Sequence, residues 1–354
     1  MRKVRIAMVR EGFINTVRAG QEGQELSAQD ILFLLSSSEE EQAILCAAAE
    51  RVRKSCLGDE VHLRGIIEFS NFCMQNCLYC GLRRDNHWVV RYRMDPAEIV
   101  EAARNARSQG FRTVVLQSGE DPWYTRERVS DLIQEIKSQT DLAVTISLGE
   151  RIFADYLAWK EAGADRYLLK YETSSPALFR KLRPGRELAD RLKGLTWLRE
   201  LGYEVGSGNM VGLPGQTDED LAKDIEIFKK YDFDMIGIGP FIAHPQTPLA
   251  WAVNGHLDRT LKVLAITRMI TRDTNMPATT ATGVLDQEGQ KKALLAGANV
   301  IMLDLTPLIY RAYYQIYPGK AEVALDHHGI ADLISSLGRR ISQGGGKRIR
   351  SRAT

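Results

Sequence analysis

The stretch Cys73-Met74-Gln75-Asn76-Cys77-Leu78-Tyr79-Cys80 puts three thiols inside eight residues, directly after a strand-like run at 61–69. Three thiolates in one loop can bind three corners of a cubane iron–sulfur cluster. The usual cluster has four cysteines, and a structural zinc site has four cysteine or histidine ligands. The missing fourth ligand is informative, because it leaves one iron open to a small molecule. A zinc site would have to recruit His87, and the three-residue interval followed by Gly81-Leu82-Arg83-Arg84-Asp85 does not resemble a zinc knuckle. A disulfide is disfavoured: the other cysteines, Cys46 and Cys56, lie in helical patterns as small packing residues, on a chain without an export signal.

Outward from this stretch, a β-then-α alternation runs to about residue 304. The strand candidates are 61–69, 112–117, 142–148, 166–171, 203–211, 235–238, 277–281 and 299–303. Helical patterns fill the gaps at 96–109, 126–139, 152–162, 186–201, 218–231, 257–271 and 286–295. Eight short apolar strands with intervening helices predict a complete (β/α)8 TIM barrel, with a doubly wound sheet as runner-up. Gly110-Phe111, Gly163-Ala164 and Gly297-Ala298 supply helix C-caps where the chain turns back. Residues 1–57 read as an N-terminal helical extension with Ser27 as an N-cap, 58–338 as the barrel and a last helix, and 339–354 as a flexible basic tail.

Composition narrows the class. The 354 residues are 44% hydrophobic and 26% charged, which supplies a sizeable core. The formal charge of +2 makes no case for nucleic acid. No run approaches a membrane span and the charged N-terminus is not a signal peptide, so a cytoplasmic enzyme is expected, in a compartment that suits an oxygen-sensitive cluster.

In a barrel, chemistry gathers on the loops leaving the C-terminal strand ends, where the cysteine loop itself lies. After the second strand, Gln117-Ser118-Gly119-Glu120 offers a close backbone approach at Gly119 and ammonium acceptors in Ser118 or Glu120. The third strand ends at the hydroxyl of Ser147. On the fourth, alternation sends Arg166, Leu168, Lys170 and Glu172 to one side; an internal ion pair is the plainer reading of those charges. Arg191 can grip a carboxylate in a bidentate manner, or it is a solvated helix residue. The glycine-rich loop after the fifth strand brings Met210 toward a nucleoside and caps the next helix with Thr217. His244 reads as a surface or supporting residue. Thr279 and Thr280 offer hydroxyls to an anion, although threonines also simply favour strands; Tyr310 and Arg311 can close the mouth.

The cysteine spacing, with an aromatic residue (Tyr79) before the last cysteine, is that of radical S-adenosylmethionine (SAM) enzymes. The chain further resembles the HydE family of FeFe-hydrogenase maturases. The resemblance covers roughly 27–338 and rests on the segments 76–86 (NCLYCGLRRDN), 91–94 (RYRM), 115–122 (VLQSGEDP), 163–173 (GADRYLLKYET), 210–217 (MVGLPGQT), 237–241 (GIGPF), 277–280 (PATT) and 317–320 (YPGK). Biotin synthase and methylornithine synthase share the cysteine loop but fewer of these segments.

The resemblance implies a 4Fe-4S cluster on Cys73, Cys77 and Cys80, with SAM held by Glu172 and Arg191. Reductive cleavage of SAM would give a 5'-deoxyadenosyl radical, with ferredoxin or flavodoxin as electron donor. The family's substrate is an organometallic iron complex carrying CO, cyanide and cysteine, made by the partner HydG; HydF is a further partner in H-cluster assembly. Arg166, Thr279, Thr280 and Tyr310 fall at positions matching the family's anion-binding interior.

Two features depart from the family. No cysteine follows Cys80, so one cluster is expected; and Lys170 and Tyr171 stand where relatives can have arginine and histidine. The rival readings are an amino-acid mutase of the methylornithine-synthase type and a non-catalytic iron–sulfur carrier.

Overall fold

The computed structural model describes residues 9–322 and 327–350. Three helices come first: α1 (Glu11–Glu22), α2 (Ala28–Leu35) and α3 (Glu39–Leu57). Then β1 (Glu60–Ser70), β2 (Thr113–Ser118), β3 (Ala143–Ser147), β4 (Arg166–Leu168), β5 (Glu204–Val211), β6 (Met235–Pro240) and β7 (Val300–Asp304) alternate with helices. These are α4 (Pro96–Ser108), α5 (Arg126–Gln139), α6 (Phe153–Glu161), α7 (Pro176–Leu182), α8 (Leu188–Glu200), α9 (Asp218–Tyr231), α10 (Leu257–Thr271), α11 (Thr280–Leu285) and α12 (Gly289–Leu295). Beyond β7 come α13 (Leu308–Arg311), α14 (His327–Ser336) and the two-residue β8 (Arg340–Ile341).

The strands form one curled parallel sheet in the order β6-β5-β4-β3-β2-β1-β7, and β8 pairs with the start of β1. Every neighbour along the curl is also a neighbour in sequence except β7, which returns to β1 with Gly65 opposite Leu303. Both faces of the sheet are covered; all six residues of β6 are buried. That is why the strands read as continuous apolar runs rather than alternating ones. The N-caps follow local chemistry. Ser27 and Thr217 each accept from the backbone three residues on, and Asp30 and Asp220 return the bond, closing two capping boxes.

The expected strand at 277–281 is not a strand. Pro277 has no N–H to give to a ladder, and Thr280 already opens α11. Residues 275–278 instead lie between β6 and β7 with one bridge on each side, Met235 to Asn275 and Pro277 to Val300. The fourth strand is also shorter than expected and ends at Leu168. Beyond it Glu172 takes a left-handed backbone, φ 70°, uncommon for a non-glycine residue.

The C-terminal residues depart furthest from the flexible basic end that their composition suggests. Among those described, the Gly345 carbonyl accepts from Arg166 Nη2 at 2.8 Å and Thr113 Oγ1 at 2.9 Å. The Gly346 carbonyl accepts from Arg64 Nη2 at 3.1 Å and Asn275 Nδ2 at 3.0 Å. Arg348 reaches Asp273 at 2.5 Å and Asp232 at 2.7 Å, and Arg350 reaches Asp234 at 3.0 Å. The tail therefore runs across the end of the sheet where the strands begin. Its basic residues meet carboxylates from two loops, Asp232 and Asp234 between α9 and β6 and Asp273 after α10, a match that composition alone does not reveal. Residues 351–354 lie outside the described residues.

Two outcomes follow. Arg348 and Asp273 are almost wholly buried, so Arg348→Ala is expected to cost about 3 kcal/mol, read by denaturant titration; a loss under about 0.5 kcal/mol would mean that the tail is not seated. His62, packed under Gly346, is pushed down to about 4 from 6.5 by burial and then by Arg64. Its folded value lies below the unfolded one, so the unfolded chain takes the proton first and stability is lost as pH falls from 6.5 to about 4. His62→Gln should flatten the decline of Tm between pH 6.5 and 5; an unchanged slope would remove His62 as its source.

Candidate functional site

β1 delivers the chain to the cysteine loop, and the loop is pinned on several sides. Ser70 Oγ donates to Asp121 at 2.6 Å, Met74 N to the Glu120 carbonyl at 2.9 Å, Leu78 N to Leu182 at 2.9 Å and Gly81 N to Ile316 at 3.0 Å. The loop after β2 presses directly on it. A Cβ added at Gly119 would come 2.2 Å from the Phe72 oxygen and 2.8 Å from Cys73 Cβ, so glycine is required there by the close approach. Burial pushes the Cys73 thiol up to about 11 and raises Cys80 as well. A metal binding here must therefore displace protons that burial holds on.

The three cysteines line one cavity of about 350 Å³ at the C-terminal ends of the strands. The same cavity gathers Tyr79, Gln117, Ser118, Glu120, Ser147, Glu172, Arg191, Met210 and Thr279. These residues come from strand ends, the loops that follow them and, for Arg191, helix α8, spread over more than 200 positions that the curl of the sheet brings together. His87 is exposed and outside the cavity, and no histidine or fourth cysteine lines it. Among the described residues no three His, Cys, Asp or Glu side chains converge as ligands of a single metal ion.

The electrostatics separate occupied groups from available ones. Glu120 is committed: it accepts from Gln75 at 2.5 Å and from the Glu150 N–H at 3.2 Å, with Arg186 at 3.5 Å and Arg183 at 3.6 Å. Ser118 Oγ donates to the Gly119 carbonyl at 2.6 Å. Arg191 is held by Glu150 and donates to the Lys170 carbonyl at 2.8 Å, but its Nη2 is buried without a hydrogen-bond partner. Glu172 Oε2 lies 3.2 Å from Lys170 Nζ, an ion-pair distance, yet accepts no hydrogen bond of proper geometry. A buried guanidinium N–H and a buried carboxylate oxygen are thus left over beside the thiols. They suit a ligand that carries its own carboxylate together with ammonium or hydroxyl donors.

Behind Glu172, Asp224 holds the turn. It accepts from Ser174 N at 2.6 Å and Asn209 Nδ2 at 2.7 Å, and burial lifts its carboxyl to about 7. Glu172 pairs in turn with Asn209 through a single bridge. The unusual backbone at Glu172 is therefore fixed from β5 and α9 rather than free.

Three expected site residues lie elsewhere. Arg166 is spent on Glu204, Thr113 and the Gly345 carbonyl at the opposite end of the sheet, because it opens β4 rather than closing it. Thr280 is the first residue of α11 and does not line the cavity. Tyr310 stacks on Tyr92 at 4.9 Å and donates to Glu98, facing away from the cysteines. Tyr314 and Tyr317, from the same aromatic segment, line the cavity in its place. The choice among these tyrosines depends on the phase of α13, only four residues long, which leaves no readable period. The sequence also gave no sign of the ion group behind that wall, where Lys320 Nζ lies 2.6 Å from Glu68 and 3.2 Å from Asp304. Burial drives Glu68 up to about 8 against the pull of Lys320. His244 is buried against Gly81 in a supporting position.

Comparison with known proteins agrees with this geometry. The family model of the Radical SAM superfamily matches residues 67–228. The chain is 53% identical to the [FeFe] hydrogenase maturase subunit HydE of Thermotoga maritima over 85% of this chain and 88% of that protein. It is 34% identical to 3-methylornithine synthase of Methanosarcina acetivorans over 79% of this chain and 80% of that one. Among solved structures it is similar to methylornithine synthase (PylB), with a TM-score of 0.83 at 28% identity, covering 92% of this chain and 97% of that one. No helix among the described residues is long and apolar enough to cross a membrane. With the cysteine loop, the curled parallel sheet and relatives of this similarity in view, the chain belongs to the HydE family of radical SAM enzymes.

Proposed function

We propose that Cys73, Cys77 and Cys80 hold three irons of a 4Fe-4S cluster whose fourth iron binds SAM, and that the enzyme acts on an organometallic iron complex carrying CO, cyanide and cysteine during assembly of the FeFe-hydrogenase H-cluster. The observation that carries this reading is a single cavity holding three thiols, a buried Arg191 N–H and a buried Glu172 oxygen, the last two without hydrogen-bond partners. The same reading treats residues 275–278 as the eighth stave of a complete (β/α)8 barrel, supported by the bridge on each side. HydG and HydF are its proposed partners in maturation, and a reducing cytoplasm suits the cluster.

When bound, the cluster supplies the electron that splits SAM into methionine and a 5'-deoxyadenosyl radical. The protein's share is placement. Arg191, fixed by Glu150, turns its remaining N–H toward the SAM carboxylate. Glu172 accepts from the ammonium or ribose hydroxyls, and Tyr79 and Met210 flank the nucleoside. Glu120 and Ser118 support the loop rather than the ligand, since their polar atoms are already engaged. Thr279, Tyr314 and Tyr317 line the same cavity and are assigned to the substrate. A mutase of the methylornithine-synthase type has weaker support, 34% identity against 53%. A cavity of this size beside the cysteines speaks against a non-catalytic carrier.

After anaerobic reconstitution, SAM and dithionite should yield 5'-deoxyadenosine. Cys77→Ala should lose the cluster's visible absorbance and all cleavage; wild-type product no higher than in Cys77→Ala would overturn the assignment. Arg191→Gln is expected to weaken SAM binding about tenfold or more with the iron content unchanged, measured by equilibrium binding. Thr279→Val should leave SAM cleavage intact and lower substrate turnover, and parallel losses in both would place Thr279 outside the substrate's share of the cavity.

A further inference from the structure

Two segments beside the cysteine loop carry apolar side chains that the described residues leave uncovered. Trp88 is 81% exposed, Val90 60%, Leu308 78% and Ile309 67%. Exposure of this kind, clustered rather than scattered, marks a contact surface. The segments are tied to each other and to the cysteines. Asn71, two residues before Cys73, donates through Nδ2 to the carbonyls of Val90 and Tyr313, each at 2.8 Å. The stacking of Tyr310 on Tyr92 lays α13 against the segment that carries Trp88 and Val90. The Arg91 guanidinium donates to the carbonyls of Asn71, Leu82, Arg83 and Asn86 at 2.5, 3.0, 2.8 and 3.2 Å. That staples the segment to the residues just after Cys80, and Arg83 N donates to the Cys80 carbonyl at 3.1 Å. The face is thus a rigid extension of the loop that would hold the cluster.

Its charge is as pronounced as its apolarity. Between Cys73 and Arg93 the chain has four arginines, at 83, 84, 91 and 93, and one aspartate, Asp85, a net of +3 against +2 for all 354 residues. Arg93 is met by Asp121, Arg83 and Arg84 share Asp85, and Glu98 lies beside Tyr310 at the α13 edge, so the positive charge belongs to the half that carries Trp88. Arg91 is spent on neutral carbonyls, so its charge is not cancelled.

We propose that this face docks a reduced, acidic one-electron carrier protein, which charges the cluster through the outer side of the cysteine loop. The proposal rests on the cluster assignment above and adds the face on which such a carrier would sit. The electron has to arrive from outside, and the cavity side of the loop is taken by SAM and substrate, which leaves the side carrying Trp88 and Val90. One electron leaves the carrier, which is oxidised, and enters the cluster, which is reduced; no atom is transferred. A small apolar patch within a positive field fits the low end of interface sizes, where brief redox encounters lie. Rim charges there act mainly on the association rate and its salt dependence.

The test uses the reconstituted full chain, a 2Fe-2S ferredoxin as probe, and the exposed-site variants Arg84→Glu and Trp88→Ala. Titration calorimetry with oxidised ferredoxin should show Kd rising about tenfold in each variant, and a shallower salt dependence in Arg84→Glu. The 5'-deoxyadenosine yield driven by dithionite, a small reductant, should stay within about twofold of wild type, while the ferredoxin-driven rate falls about tenfold. Unchanged ferredoxin binding, or equal losses with both reductants, overturns the docking surface. A wild type that makes no 5'-deoxyadenosine even with dithionite removes the cluster reading itself, which separates the two failures.

Discussion

The contact between Gly119 and the Phe72–Cys73 backbone is the constraint on which the site depends. Two loops from neighbouring strands meet there so tightly that no β-carbon fits between them. This fixes the height of Cys73 relative to the end of β2, and with it the relation between the thiols and the residues that follow on Ser118, Glu120 and Glu150. Backbone hydrogen bonds alone would not do this. Met74 N to Glu120 O sets a distance, but the absent side chain makes any relaxation of the gap a loss of packing on both sides. The cysteine loop can therefore be irregular in conformation and still hold its place.

Around that contact the cavity has a largely apolar lining backed by ion pairs. Arg191 with Glu150, Glu120 with Arg183 and Arg186, and Lys320 with Glu68 and Asp304 all sit in largely buried surroundings. Removing such groups from water costs several kcal/mol per ion, and mutual pairing offsets it only where the geometry is good. Most of these pairs are well made. Two of the buried polar atoms without a hydrogen-bond partner, Arg191 Nη2 and Glu172 Oε2, belong to residues that line the cavity with the thiols. Charged groups held in place there before anything binds leave little reorganisation for the reaction.

The parts legible in the sequence are those encoded in local spacing. The cysteine interval, the six strands from 61 to 240 and the capping residues Ser27 and Thr217 follow from period and position; of the twelve expected residues that line the cavity, all but Arg191, which stands on α8, lie at strand ends or in the loops after them, and the family resemblance singled out Glu172 and Arg191. What was not legible depends on three-dimensional partners. Strand alternation groups Arg166 with Glu172 but says nothing of depth; with β4 only three residues long, Arg166 stands at its start and is claimed by the tail, while Glu172 lies beyond its end on a left-handed backbone. Pro277-Ala-Thr-Thr has the composition of a strand, and its failure to be one comes from the proline's missing donor and the helix that begins at Thr280. The tail's arginines look solvated until Asp232 and Asp234 from one loop and Asp273 from another are seen to converge on them. Tyr314 and Tyr310 are four residues apart, and only the way α13 leans on Tyr92 decides which one faces inward.

The tail's crossing under the strands has a consequence for assembly. Gly345 and Gly346 bond across Thr113, Arg166, Arg64 and Asn275, which stand on β2, β4, β1 and the segment between β6 and β7. Residues made late in synthesis thus fasten strands made well before them, so this end of the sheet can be completed only after residue 346 has been added to the chain.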